Sequence, residues 1–415
     1  MKGRSGGLPQ ILRSVRRTRT ALLSVAGIVA AILPTGIPRP AAAASAPQTC
    51  VGSPRSTGDQ AARIRATVRQ ASGDLHLNSV IFKAVSGDKD IVTGAVGESM
   101  TGVPADPAMH FRSGSVAIEY MTTVLLQLVD EGKVRLDEPV SRWLPTLPHA
   151  SEITLRMLGS STSGLHDYVT DKKFLAELQA APFRHWTFSD TVDIATAHPL
   201  WYKPGTSWSY SHADFQILGV VLEKITGTRL DRLLGERITT PLGLRGTHNS
   251  FTPDIPAPAL HAFTSERGVY EESSYWNPSW TTAAGAVLTS DICDLARTAR
   301  AIGSGELLSP QGFKTQLDPG TVGLGGKSDT CPADVCLKNT AARHFGFGVL
   351  VVDDWIIQNP SFSGYAAVQA YLPAQRLSIA VSTTQGPGAT DGNPAQTIAS
   401  RLARVLAPDH PLTTR

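Results

Sequence analysis

The period of the apolar residues changes twice along this chain of 415 residues, and that order restricts the fold more than any other feature. Val80 to Val85 and Ile91 to Val96 are short β-branched runs separated by Ser86-Gly87-Asp88, the signature of a hairpin. The C-terminal quarter returns to strand-like runs, Gly346 to Val352, Ala366 to Leu372 and Leu377 to Ser382, and closes with a helical pattern over Ala395 to Leu406. Between these ends, residues 131–290 are richer in Pro, Trp and short helical patterns, with a clear helix from Phe215 to Thr226 stopped by Gly227. An amphipathic helical run follows at Cys293 to Ile302. Strands from both ends would then share one antiparallel sheet flanked by helices, with the middle forming an all-α lobe. The expectation is an α/β (α+β) chain: one lobe from about 60–130 and 290–410, a helical lobe from about 131–290, and a site at their seam.

Charge and cysteine placement narrow the setting. Residues 1–46 hold seven basic residues and no acid; taking those seven from the net +3 leaves −4 on the remainder, which argues against nucleic acid as a main partner. Arg13, Arg16, Arg17 and Arg19 precede an apolar run from Ala21 to Leu33, and the small residues Ala41 to Ala46 follow. Basic, then apolar, then small is the order of a secretory signal peptide, and the run falls short of the roughly 20 apolar residues of a membrane span. Residues 1–46 are therefore expected to be removed and the remainder, 47–415, to be secreted from a bacterial cell with no stable membrane span. Outside the cytoplasm disulfides persist. Cys331 and Cys336, five apart in a Gly-rich stretch, are expected to clamp a loop; Cys50 with Cys293 is a second pairing, or Cys293 is a buried thiol. No Cys/His cluster has the spacing of a zinc site, and neither a metal nor a cofactor is expected.

The chemistry-bearing residues begin with Ser115. Val116, Tyr120, Val124, Leu125 and Leu128 recur at helical spacing up to Gly132, so Ser115 opens a helix, where free N–H groups favour developing negative charge. As a helix-opening Ser it is also a favoured cap, with no chemistry implied. Phe111-Arg112-Ser113-Gly114-Ser115-Val116, the run Leu125 to Val140, Trp143-Leu144-Pro145, Thr162-Ser163-Gly164-Leu165, Pro204-Gly205-Thr206, Tyr210-Ser211, Pro241-Leu242-Gly243-Leu244 and Ser363-Gly364-Tyr365 occur in an order that resembles the serine β-lactamase and D-alanyl-D-alanine carboxypeptidase superfamily. The match is to its class C β-lactamase-like, esterase-like branch and covers roughly residues 60–405. The resemblance implies a β-lactamase/transpeptidase-like fold. It also implies a nucleophilic Ser with Lys three residues later, a Tyr-x-Asn loop, and a Lys- or His-initiated strand motif. A Ser hydroxyl needs such a neighbouring base to attack, and i to i+3 spacing places a Lys on the Ser side of the helix.

All three motifs are altered here. Ser115 takes the nucleophile position, but Ile118 stands where the resemblance places Lys. The second motif reads Tyr210-Ser211-His212, with His for Asn. Counting back from Tyr365, the third reads Gln358-Asn359-Pro360, and Pro360 has no N–H to offer. Three readings follow. Ser/Lys acyl transfer is lost or strongly impaired, leaving a cleft that binds a small molecule, peptide or peptidoglycan-type fragment. Alternatively, Ser115, Tyr210 and His212 form a new nucleophile–base set, since His is the commonest general base, giving an esterase or acyltransferase. Finally, the chain is an antibiotic- or wall-binding interaction protein. His166, Asp167 and Tyr168 read as a solvated loop. Trp201, Trp208, Trp276 and Trp280 read as core packing rather than a ligand wall.

Overall fold

The two strand-rich ends do meet in one sheet. The computed structural model describes residues 50–51, 58–390 and 392–414; the expected signal peptide, 1–46, lies outside them. Helix α1 (Asp59–Asp74) leads into the hairpin β1 (Leu77–Ser86) and β2 (Lys89–Met100), with β3 (Val103–Pro104) on its edge. The remaining strands all come from the far end: β4 (Arg343–Phe345), β5 (Leu350–Val352), β6 (Trp355–Gln358), β7 (Ser361–Phe362), β8 (Tyr365–Leu372) and β9 (Leu377–Gln385). The order is β3-β2-β1-β9-β8-β6-β5-β4, every pair is antiparallel, and β7 pairs on β8. The chain thus closes its first hairpin against its last strand, Ile81 opposite Ser382 and Val85 opposite Ser378.

Burial follows the pleat. In β8, Ala366, Val368, Ala370 and Leu372 join a core with α1 and the last helix, Pro394–Leu406, while Tyr365 and Ala367 face a second, larger core. Both faces are covered, so β8 is buried throughout and reads as a continuous apolar run rather than an alternating one. The second face carries the helix Ile292–Gly303, packed on β8 and β9.

The helix that follows Ser115, Val116–Asp130, is unlike the surface helices: every residue from Val116 to Leu126 is buried. A helix apolar on all sides belongs in a protein interior. The 131–290 segment carries the helices Leu155–Ser160, Lys172–Ala180, Phe188–Ala197 and His212–Thr226, ended by Gly227 in the left-handed region. It is not all helix: the short strand Val287–Ser290 pairs with Phe111–Arg112 on one side and with His248–Ser250 on the other.

One expected strand is broken. The apolar run 346–352 contains a turn at 346–349 before β5 begins, closed by the Gly346 N–H on the Val349 carbonyl. Gly348 has φ 76°, and a Cβ there would lie 2.2 Å from the Thr122 hydroxyl. The turn therefore presses its backbone onto the buried helix, a contact only Gly permits.

The expected Cys331–Cys336 pair is formed, and Cys50–Cys293, left open against a buried thiol, is formed as well. Cys331–Cys336 clamps its loop, and Cys50–Cys293 ties the segment before α1 to the helix Ile292–Gly303. Beside the latter, Asp294 accepts hydrogen bonds from the Gly246 N–H at 2.7 Å and the Thr247 hydroxyl at 2.9 Å. Burial, reinforced by the neighbouring Asp291 charge, pushes the Asp294 carboxyl up to about 7. The folded state thus holds a proton that the unfolded chain releases near pH 4, so this group's contribution falls as pH rises from about 4 to about 7. An Asn Oδ1 can accept the same two bonds. Asp294→Asn is expected to raise unfolding free energy at pH 8 by roughly 2 kcal/mol and to leave it unchanged at pH 4. Urea denaturation at the two pH values measures this; equal effects at both would contradict it.

Candidate functional site

The position of Ser115 is set by the residues before it. Phe111–Arg112 pairs with Val287–Ser290, and the buried Arg112 guanidinium donates to the Ser274 carbonyl at 2.9 and 3.1 Å. Gly114 then turns the chain at φ 39°; a Cβ there would lie 2.6 Å from the Phe362 ring and 3.2 Å from Pro360. That close approach brings the mouth of the buried helix against the end of the 355–362 strands. Ser115 sits at the N-cap position with helical backbone, and its side chain makes no capping bond. The Ser115 side chain instead borders the cleft in company with Tyr210 and His212. The favoured-cap reading of Ser115 thus has no capping hydrogen bond to support it.

What lies behind Ser115 is apolar. Ile118 is fully buried within the larger core. The adjacent Glu119 also points inward, where burial pushes its carboxyl well above the usual range and the Gln369 amide donates to it. Glu119 thus faces the sheet with its charged form disfavoured by burial, one residue and about 100° of helical rotation from Ile118.

The structure brings a different pair to the cleft. His212 opens the helix His212–Thr226, and its Nδ1 lies 3.0 Å from both carboxyl oxygens of Asp167. Asp167 also accepts the His212 backbone N–H at 3.2 Å, serving as the cap that the Ser211 side chain does not provide. A carboxylate only accepts, so Nδ1 is the donor and Nε2 of a neutral ring is left as an acceptor. The His212 ring stands edge-on to Tyr210, with centroids 5.0 Å apart. Burial pushes the Tyr210 hydroxyl above its ordinary range, so it is a neutral phenol rather than a phenolate.

Asp167 corrects the reading of 166–168 as a solvated loop. Asp167 and Tyr168 are buried, Tyr168 donating to the Trp280 carbonyl, and His166 stacks between Trp201 at 3.8 Å and His198 at 4.6 Å. The partner of His212 lies 45 residues upstream, a separation no spacing rule connects. The aromatic residues divide: Trp208 and Trp280 line cavities, whereas Trp276 is buried and Trp201 stacks on His166.

Ser115, Tyr210, His212, Gln358, Asn359 and Pro360 all line one cavity of about 820 Å³; Ile118 does not. The third-motif residues are occupied in holding the scaffold. The Gln358 amide donates to the Gly348 carbonyl at 2.7 Å, and Asn359 donates to Gln396 at 2.7 Å. The opposite wall is the disulfide-clamped loop, with Asp334, Leu337 and Lys338. The Lys338 ammonium is engaged with the Gly323 and Gly325 carbonyls of that loop.

Residues 64–403 match the model of the family described as Beta-lactamase, and the chain belongs to that family. Among curated relatives it is 35% identical over 183 residues to penicillin-binding protein 4 of Amycolatopsis lactamdurans, covering 42% of this chain and 44% of that protein. It is 28% identical over 204 residues to esterase EstB of Burkholderia gladioli, covering 45% of this chain and 48% of the esterase. The match thus spans less than half the length of these relatives. A solved D-stereospecific amidohydrolase from Streptomyces sp. superposes with a TM-score of 0.70 at 26% identity, covering 85% of this chain and 99% of the other. The chain is accordingly of the β-lactamase-fold serine hydrolase family, whose members include penicillin-binding proteins, esterases and amidases.

Because Asp167 serves both the ring and the backbone of His212, its removal leaves two donors without an acceptor. Asp167→Ala is expected to cost about 2–3 kcal/mol in chemical denaturation, with Asp167→Asn recovering part of the loss. A cost below about 0.5 kcal/mol would mean that the pair behaves as a solvated surface contact.

Proposed function

We propose that this chain is an exported, cleft-bearing member of its family in which Ser/Lys acyl transfer has been lost, and that the cleft binds a small molecule, a peptide or a peptidoglycan-type fragment. The observation that carries this reading is Ile118. The side chain at the Lys position is an alkyl group sealed in the core, unable to take a proton from Ser115 or to stabilise a Tyr210 phenolate by charge. General-base assistance is worth about 10²–10⁴-fold, so turnover by the family's usual route falls by at least that much. The two disulfides fit an oxidising compartment, and no helix among the described residues is long and apolar enough to cross a membrane.

The His212–Asp167 pair favours a second reading. With Nδ1 fixed as a donor, Nε2 is a base on the cleft side. His212 would take the Ser115 proton, with Tyr210 between them as the relay, as the Ser oxygen bonds to the acyl carbon of an activated ester; the acyl–oxygen bond of the ester then breaks and the alcohol leaves with that proton.

Incubation of the mature protein with a fluorescent penicillin and a fluorophosphonate, followed by mapping of any adduct, separates the two. The first reading expects no penicillin adduct, together with saturable binding of a muropeptide by calorimetry. A stoichiometric fluorophosphonate adduct at Ser115, absent in Ser115→Ala and at least 100-fold slower in His212→Ala, would replace it with the second.

A further inference from the structure

The disulfide-clamped wall of the large cavity is a loop whose two ends are pinned to one residue. The Thr321 hydroxyl donates to the Phe345 carbonyl, and the Phe345 N–H donates to the Asn339 side-chain carbonyl at 3.0 Å. Backbone bonds from the Gly323 N–H to the Asn339 carbonyl at 3.1 Å and from the Asn339 N–H to the Leu324 carbonyl at 2.9 Å close the neck. Residues 321–342 form no helix or strand, and Gly323, Gly325 and Gly326 all stand at positive φ. A loop whose ends meet keeps its shape through its own contacts.

Those contacts converge on the cysteines. The Cys331 N–H donates to the Ser328 hydroxyl at 3.0 Å, and its carbonyl accepts the Ser328 N–H at 2.9 Å. The Cys336 N–H donates to the Pro332 carbonyl at 2.9 Å, and its carbonyl accepts the Gly326 N–H at 2.8 Å. Asp334 lies inside the ring that the bridge closes, and Leu337, Lys338 and Asn339 follow it directly; all four line the cavity. From this hub the Thr330 hydroxyl reaches into the 131–290 segment, donating to the Trp201 carbonyl at 2.5 Å. The Trp201 ring stacks on His166, next in the chain to Asp167, the acceptor of His212. The loop therefore ties the sheet-bearing part of the chain to the helical part beside the cleft.

The bridge does little for the fold as a whole. Cys331 and Cys336 are five residues apart, and a disulfide restricts the unfolded chain less the shorter the ring it closes. The Cys50–Cys293 bridge spans 243 residues, and neither of its cysteines lines the cavity. Breaking the short bridge therefore acts on the loop and spares the core. Both of its cysteines are only 1% exposed. A reductant reaches the sulfurs when the loop lifts, and anything held beneath the loop keeps them out of reach.

We propose that Cys331–Cys336 is a redox latch on the cleft. Closed, it holds the 321–339 loop against Trp201 and retains a bound ligand; opened by a dithiol, it lets the loop lift and the ligand leave. In the opening step a reductant thiolate attacks one sulfur, the S–S bond breaks and a mixed disulfide forms. The second thiol of the reductant then displaces the cysteine. Two electrons and two protons pass to Cys331 and Cys336, and the reductant leaves as its own disulfide. The proposal goes beyond the reading of the cleft as a binding site, since it concerns how the wall of the cleft is held.

The mature protein is treated with dithiothreitol under native conditions, alkylated at intervals and mapped by mass spectrometry. The opened protein and Cys331→Ser/Cys336→Ser are compared with the untreated protein by hydrogen exchange and by calorimetry with a muropeptide. Cys331–Cys336 is expected to open before Cys50–Cys293. Both opened forms should exchange faster at 321–342 and around Trp201, with the strands Tyr365–Leu372 and Leu377–Gln385 unchanged. They should bind the muropeptide roughly 5–150-fold more weakly. Saturating muropeptide should shift the ratio of closed to opened bridge, in a buffer of reduced and oxidised dithiothreitol, by the same factor, because coupling between two equilibria is reciprocal. Unchanged exchange at 321–342 in both opened forms, or equal muropeptide affinity once the loop is released, would overturn the latch. Absence of heat with the muropeptide before and after opening would overturn the binding reading instead, and the exchange data alone then decide the latch.

Discussion

The burial of the helix Val116–Asp130 on all sides is the constraint from which the rest of the site follows. A helix enclosed by the sheet, the turn at 346–349 and the helix His212–Thr226 cannot shift without opening the core, and interiors at native packing density resist such shifts. Ser115, one residue before its first turn, inherits that rigidity. So does Gly114, whose missing Cβ lets the Phe362 ring and Pro360 close against the backbone. The cleft is thus built by packing rather than by its polar residues, which explains how its shape survives alteration of all three motifs.

The same burial explains why the changes occur together. An ammonium at position 118 would enter a nearly sealed core, and a buried cation must be paired or lose its proton. In this chain the groups that could pair with it are otherwise engaged: Glu119 accepts from the Gln369 amide where burial disfavours its charged form, and burial likewise holds the Tyr210 hydroxyl in its phenol form. Ile118 removes that demand. His212 then finds its own counter-group in Asp167, and Gln358 and Asn359 become struts between the 346–349 turn and the last helix. Each replacement is satisfied locally, so the site is a consistent arrangement and not a damaged one.

Most of the fold was legible in the sequence because its signals are periodic. The hairpin, the helix after Ser115, the closing strands and helix, and the loop-clamping disulfide follow from alternation, 3.6-residue spacing and Gly stops. The turn at 346–349 escaped because Gly346 and Gly348 interrupt an apolar run without any polar residue to mark it. At the site, Ser115, Tyr210 and His212 were picked out by their resemblance to family motifs, and the three line one cavity. Asp167 was missed for a physical reason: its role comes from a partner 45 residues away across a helix terminus, and in the chain it looks like any loop acid after a Gly turn. The smaller cavity that Ser115 also lines was equally hidden, since Phe174, Trp280 and Phe362 come to it from three separate segments.

Stability and chemistry use different residues here, and position 118 is where they would conflict. An Ile fully removed from water contributes about 1.5–3 kcal/mol relative to exposure, whereas an unpaired Lys at the same depth would subtract from a net stability of only about 5–15 kcal/mol. A catalytic lysine is retained against that cost only while selection rewards its chemistry. At that depth the apolar residue is the more stable occupant, and the shape of the cleft, which packing sets, does not depend on a charge at position 118.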